Sequence, residues 1–202
     1  DHLIAQGKIK RDKPLPPITD EEKPFVLPQG WEWCRIGQLA EIKGGKRLPA
    51  GHTFSDERTA YAYIQVTNMK RGSITTENLK YIRTETYAAI KNYTISKQDL
   101  YITIAGTIGQ VGLVPEECHL MNLTENAAKI VFSGLNKEWF SNVLNSDICQ
   151  VQFAEKTQQQ AQPKLALHRI TSAIIALAPQ GEQARIVTHV NQLRTLCTQL
   201  RE

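Results

Sequence analysis

The sequence predicts an α+β fold: a twisted mixed or antiparallel sheet with peripheral helices and a projecting C-terminal helix. Three observations carry that prediction. Short β-rich runs stand at residues 61–66, 100–104, 110–114 and 127–132, with the length and composition of strands in a small sheet. Glycines at positions 44, 45, 51, 72, 106, 109 and 112 lie between or beside these runs and read as turns. At residues 136–153 and 181–202, apolar residues recur every three or four positions, the spacing of helices with one buried face.

Residues 1–24 stand apart. Leu3 to Gln6 read as the last turn of a helix with Gly7 just past its end. A charged stretch then runs into Pro14, Pro16 and Pro17, which fix an extended strap. Residues 25–180 form the domain proper. Within it, 100–104 alternates with period two if Thr103 faces outward, and Gly106, Gly109 and Gly112 turn the chain toward the next strand. Residues 84–91 read as a short helix capped by Thr84, with Glu85 in its first turn. Residues 136–153 are helical, with Asn136 as N-cap and Trp139, Phe140, Val143 and Leu144 on one face. The polar stretch 155–168 is broken at Pro163, and 170–178 reads as a short helix running into a strand. Residues 181–202 are a further helix. There Ile186, Val190, Leu193, Cys197 and Leu200 are spaced 4-3-4-3, a heptad seam suited to pairing with another helix, the alternative being an amphipathic helix docked on its own domain.

A chain of 202 residues can bury a core without disulfide or metal staples. With 41% hydrophobic and 22% charged residues, wholesale disorder is excluded. No apolar run is long enough to span a membrane and the first residues lack the features of a signal peptide, so a cytoplasmic location is expected. Cys34, Cys118, Cys149 and Cys197 are far apart and form no C-x-x-C pair, which favours reduced thiols over disulfides or zinc. The net charge of 24 − 20 = +4 permits a nucleic-acid partner without requiring one.

Motifs of catalysis are missing from the sequence. It has no Walker lysine, no G-x-S-x-G, no H-E-x-x-H and no N/D-P-P-Y/F tetrapeptide of adenine methyltransferases. The glycines at 106, 109 and 112 sit between strands rather than before a helix, so they read as a turn and not as a nucleotide loop. The five histidines are scattered singly, Asp56-Glu57 and Glu116-Glu117 read as solvated turns, and Cys34 as a buried thiol. No catalytic residue, metal ligand or cofactor is expected. What remains is a set of basic and amide side chains on loops. Lys43, Lys46 and Arg47 flank Gly44 and Gly45; Lys70 and Arg71 precede Gly72; Gln158, Gln159, Gln160, Gln162 and Lys164 share one irregular stretch. Lys and Arg suit phosphates and guanine edges, and Gln suits adenine.

The order of segments resembles the specificity (S) subunit of type I restriction-modification systems. The stretches that carry the likeness are Leu27-Pro28-Gln29-Gly30-Trp31-Glu32-Trp33 with Arg35-Ile36-Gly37, then Val66-Thr67-Asn68, Gly106-Thr107-Ile108-Gly109, Leu123-Thr124-Glu125-Asn126, and Glu182-Gln183-Ala184-Arg185-Ile186-Val187. The resemblance implies a target recognition domain at 25–180, similar to the DNA methylase specificity domain, and the start of a conserved coiled-coil spacer helix at 181–202. It further implies a non-catalytic subunit that reads one half of a bipartite target in double-stranded DNA. Methyltransferase subunits, and through them restriction subunits, are the implied partners. Fragment self-association through Ile186, Val190, Leu193, Cys197 and Leu200 is a further expectation. On this resemblance, Lys43, Lys46, Arg47, Lys70, Arg71, Thr107, the four glutamines and Lys164 are the DNA-binding candidates, with the lysine–arginine turn tracking phosphates and the glutamines reading bases. The alternatives are the recognition domain of a fused or half-size restriction-modification protein, and a small enzyme of unknown type.

Overall fold

The computed structural model describes residues 15–154 and 164–200. The helix end at Leu3–Gly7 and the glutamines 158, 159, 160 and 162 lie outside the described residues. After the strap, the chain forms β1 (Glu32–Arg35), α1 (Ile36–Leu39), β2 (Ala40–Gly44), β3 (Tyr61–Ile64), β4 (Met69–Lys70), β5 (Ser73–Ile74), β6 (Lys80–Ile82) and α2 (Thr84–Ile90). It continues through β7 (Leu100–Thr103), β8 (Val111–Leu113), β9 (Asn122–Leu123), β10 (Ala127–Phe132), α3 (Lys137–Leu144) and α4 (Asp147–Ala154). It closes with α5 (Leu167–Ser172), β11 (Ile174–Leu177) and α6 (Gln180–Gln199).

The main sheet is antiparallel, in the order β2-β10-β7-β8. A smaller mixed sheet, β6-β3-β9, pairs β3 with β6 antiparallel and with β9 parallel. The short turn 124–126 joins β9 to β10 and so couples the two sheets. The β7 strand is central and buried on both faces. Leu100 and Ile102 enter a core with Trp139, Phe140, Leu144 and Phe153, while Tyr101 enters a second core with Ile64, Met69 and Leu123. This corrects the expectation that Thr103 faces outward: it is 1% exposed. The loop after β7 folds back, and the Thr103 hydroxyl donates to the Thr107 carbonyl and accepts from the Gln110 amide. The hydroxyl is thereby satisfied inside, as a buried polar group must be.

The helices follow the sequence with three adjustments. Asn136 caps α3, its side-chain oxygen accepting from the Trp139 amide at 3.0 Å, a bond worth about 1 kcal/mol. The expected single helix 136–153 is two, because Asn145 and Ser146 turn their side chains onto local carbonyls and break the run. Arg83 rather than Thr84 occupies the cap position of α2, and Thr84 is its first helical residue. The 170–178 expectation resolves into α5 from Leu167 and the strand β11.

At the base of the domain, β1 and β11 pair antiparallel, Glu32 opposite Leu177 and Arg35 opposite Ile174. Arg35 is 4% exposed. Its guanidinium donates to the carbonyls of Pro16 (2.7 Å), Pro17 (3.0 Å) and Ser172 (2.6 Å) and forms a two-pronged pair with the Glu22 carboxylate. One buried cation thus pins the strap to β1 and to the end of α5, just before β11. Gln183, also buried, fixes the start of α6 by donating to the Ala178 carbonyl and accepting from the Asn136 amide.

Candidate nucleic-acid interface

The antiparallel register gathers particular loops at one end of the main sheet. Gly44 at the end of β2 lies opposite Ala128 near the start of β10, Ala127 opposite Thr103 at the end of β7, and Ile102 opposite Val111 at the start of β8. The 45–47 turn, the 124–126 turn and the 104–110 loop therefore emerge side by side. Lys164 joins them, because Ala105 bridges to it in β fashion and its ammonium donates to the Glu125 carbonyl at 3.0 Å. The amides of Ile104 and Ala105 both donate to the Asn126 carbonyl.

The 45–47 turn is fastened rather than loose. The Gly45 amide donates to Ala127 O at 3.0 Å and the Lys46 amide to Leu123 O at 2.9 Å. A Cβ on residue 45 would lie 2.1 Å from the Thr124 carbonyl oxygen, so only glycine allows this approach. Lys46 is exposed and holds its ammonium 5.5 Å from the Tyr93 ring centroid. Arg47 places Nε 2.9 Å from Glu125 Oε1. The second carboxylate oxygen of Glu125 accepts from the Tyr63 hydroxyl (3.3 Å) and the Thr124 hydroxyl (3.1 Å). Burial opposes ionisation of Glu125, but the hydrogen bonds from Arg47, the backbone and Thr124 outweigh it and hold the carboxyl below the usual carboxylate range. Burial pushes Tyr63 up to about 12, so its hydroxyl remains a donor at neutral pH, shared with the Lys46 carbonyl at 2.8 Å.

The structure thus brings together Lys46, Arg47, Thr107 and Lys164, and leaves other candidates apart. Lys43 points from β2 and pairs with Glu41 at 2.7 Å. Lys70 and Arg71 sit on the β4–β5 hairpin, whose two-residue turn has positive φ at Arg71 and Gly72 (51° and 73°). That hairpin rides on β8, the opposite edge of the sheet from β2: Leu113 N donates to Gly72 O and the Tyr101 hydroxyl to Ser73 O. Glu125 escaped the sequence reading, as did the pinning role of Arg35. A basic residue set directly after Trp33 and Cys34 in an otherwise apolar run was the available signal for the latter.

Among the described residues, no group of three His, Cys, Asp or Glu side chains is placed to hold a metal, and no helix is long and apolar enough to cross a membrane. Burial pushes Cys118 up to about 11 and Cys149 up to about 12, which keeps both thiols protonated and poor nucleophiles. Along α6, Ile186 packs partly against the core and Val190 is half-buried, whereas Leu193 and Leu200 are 61% and 86% exposed.

The chain is an α+β scaffold that presents Lys46, Arg47 and Lys164 from loops at one sheet end, with a helix leaving its base. The chain belongs to the type I restriction modification DNA specificity domain family, whose pattern matches residues 28–202. It is 27% identical to the specificity subunit of the type I restriction enzyme EcoAI of Escherichia coli, over 98% of this chain and 34% of that subunit. It is 26% identical to the EcoEI specificity subunit of the same organism, over 98% and 35%. The chain spans about a third of these curated relatives. Its fold matches the HsdS subunit from Thermoanaerobacter tengcongensis with TM-score 0.65 at 17% identity, covering 88% of this chain and 41% of that one. A chain from a structural study of type I R-M system assembly and conformational transition matches with TM-score 0.68 at 18% identity, covering 98% and 45%.

Proposed function

We propose that this chain is a DNA-reading domain of a type I restriction-modification specificity subunit and that it engages duplex DNA with the loop end of its main sheet. The observation that carries this is the convergence of Lys46, Arg47, Lys164 and the exposed Thr107 loop at one sheet end, in a member of a DNA specificity family. Gln158, Gln159, Gln160 and Gln162 lie within six residues before Lys164 in sequence, which supports a role for their amides in the same interface. The domain reads one half of a split target and performs no chemistry itself. It works in the cytoplasm with methyltransferase subunits and, through them, restriction subunits. Lys43, Lys70 and Arg71 supply secondary phosphate contacts from the sheet edges.

Helix α6 is the proposed docking element. Ile186 and Val187 seat it on the domain core, while Val190, Leu193, Cys197 and Leu200 offer an apolar stripe to a second helix of the same subunit. Burying one such leucine contributes roughly 1.5–3 kcal/mol. The charge test is binding to random duplex at low and moderate salt, where affinity falls steeply as salt rises; salt-independent binding overturns the proposal. The helix test is sedimentation of the chain: the bare stripe is expected to pair two copies, and Val190→Asp/Leu193→Asp to lose that association, whereas a monomeric wild type overturns the docking role.

A further inference from the structure

The two cations of the 45–47 turn look equivalent in sequence and differ in their surroundings. Lys46 has an ammonium with no carboxylate partner among the described residues, set beside an aromatic ring. Arg47 has its Nε held by Glu125, while its side chain remains 80% exposed and its two Nη groups have no partner among the described residues. We infer that Arg47 is a base-reading residue that presents its Nη fork to a guanine in the major groove, and that Glu125 is the positioning residue that aims it.

This inference rests on the DNA-binding reading above and deepens it. A carboxylate against Nε offsets the charge that phosphate attraction needs, so the pairing makes Arg47 a poor electrostatic anchor. The same pairing fixes the plane of the guanidinium and leaves the end-on fork that matches guanine O6 and N7. Both oxygens of Glu125 are occupied within the protein, by Arg47 on one side and by Tyr63 and Thr124 on the other, so the carboxylate is a support rather than a reader of cytosine. The support is stiff because its platform is stiff. Residues 45 and 46 are hydrogen-bonded to 127 and 123, and Gly45 lies against the Thr124 carbonyl where no side chain fits. Lys46 and Lys164, neither paired with a carboxylate among the described residues, remain the phosphate contacts.

The experiment is selection of the full chain on a pool of randomised duplex DNA, for the wild type and for Arg47→Lys, Arg47→Ala, Glu125→Gln and Lys46→Ala. The wild type is expected to enrich a sequence containing a fixed G·C pair. Arg47→Lys and Arg47→Ala should lower preference for guanine at that one position by on the order of tenfold to a hundredfold while leaving the other positions unchanged. Glu125→Gln keeps the shape of the side chain and should relax the same position to a smaller degree. Lys46→Ala should weaken binding to every sequence alike. An Arg47 variant that binds all sequences more weakly with its preference intact overturns the guanine assignment and returns Arg47 to the phosphates. Glu125→Gln with undiminished preference at that position overturns the positioning role. A wild-type chain that enriches a sequence without a fixed G·C pair overturns the base-reading inference alone, whereas one that enriches nothing or does not bind duplex DNA overturns the functional reading beneath it. Arg47 is 80% exposed, so its replacement is expected to leave the fold intact and the guanine outcome is readable even if Glu125→Gln folds poorly.

Discussion

The turns Lys43-Gly44-Gly45-Lys46-Arg47 and Lys70-Arg71-Gly72-Ser73 share a composition and little else. In the first, glycine lets two backbones touch: Gly45 abuts the Thr124 carbonyl, and the cations beside it join the loop end of the sheet. In the second, Gly72 supplies a positive φ of 73° with open space where its Cβ would be, and the cations ride a hairpin at the far edge. A basic turn acquires its role from what lies beneath it, and a glycine's tolerance follows from which of its two freedoms is in use.

Stability should separate the two turns most. Gly45→Ala forces a Cβ into backbone, and we expect a loss of about 3 kcal/mol. Gly72→Ala has room and bears the left-handed penalty of about 1 kcal/mol. Urea unfolding of both variants measures the difference, and equal losses would break the distinction.

A smaller effect is expected where the second turn is attached. A Cβ at Gly112 would lie 2.5 Å from Gly72 and from the Tyr101 hydroxyl. Gly112→Ala should loosen the hairpin at about 2 kcal/mol and speed hydrogen exchange of the Leu113 amide, which donates to Gly72 O. Unchanged protection at Leu113 would mean that β8 does not carry the hairpin.

On DNA, Lys46→Ala should lower the salt slope of binding by about one. The Lys70→Ala/Arg71→Ala pair, set apart on the β8 edge, should lower it less despite removing two charges. Salt titration of the affinity decides, and a larger effect at 70–71 would move the interface to that edge.

The smallest effect is the pH dependence of the Arg47–Glu125 pair. Because the folded chain holds the Glu125 carboxyl below its ordinary value, its stabilisation is complete above the unfolded pKa. It is lost as pH falls through the lowered folded value. With Arg47 exposed to solvent, the difference should stay under about 1 kcal/mol. Acid unfolding of Glu125→Gln, compared with the wild type, should show that part of the acid limb flattened.

The comparison also explains what the sequence made legible. Strands β3 and β10 stood out because Tyr61–Ile64 and Ala127–Phe132 carry their own β-rich composition, and α3 because Asn136 and its apolar face are local signals. Strand β1 escaped because it pairs with β11 some 140 residues onward in the chain, and β2, Ala40-Glu41-Ile42-Lys43-Gly44, because two of its residues are charged and it becomes a strand by pairing with β10. Thr103 misled because its burial depends on the 104–110 loop returning to its hydroxyl. The support of Arg47 was hidden for the same reason: Glu125 and Tyr63 lie far from residue 47 in sequence, and only the sheet register unites them.

The Arg35 clasp has a geometric consequence. It ties Pro16 and Pro17 to Ser172, next to strands that pair as first and last. At the other end of the same ladder Glu32 pairs with Leu177, so the chain enters β1 and leaves β11 about one strand spacing apart, roughly 5 Å. A body whose two connections lie this close acts as a cassette: its removal or exchange leaves a gap that a short peptide can span. Residues 36–173 can thus change in sequence and shape while Glu32 and Leu177 stay paired.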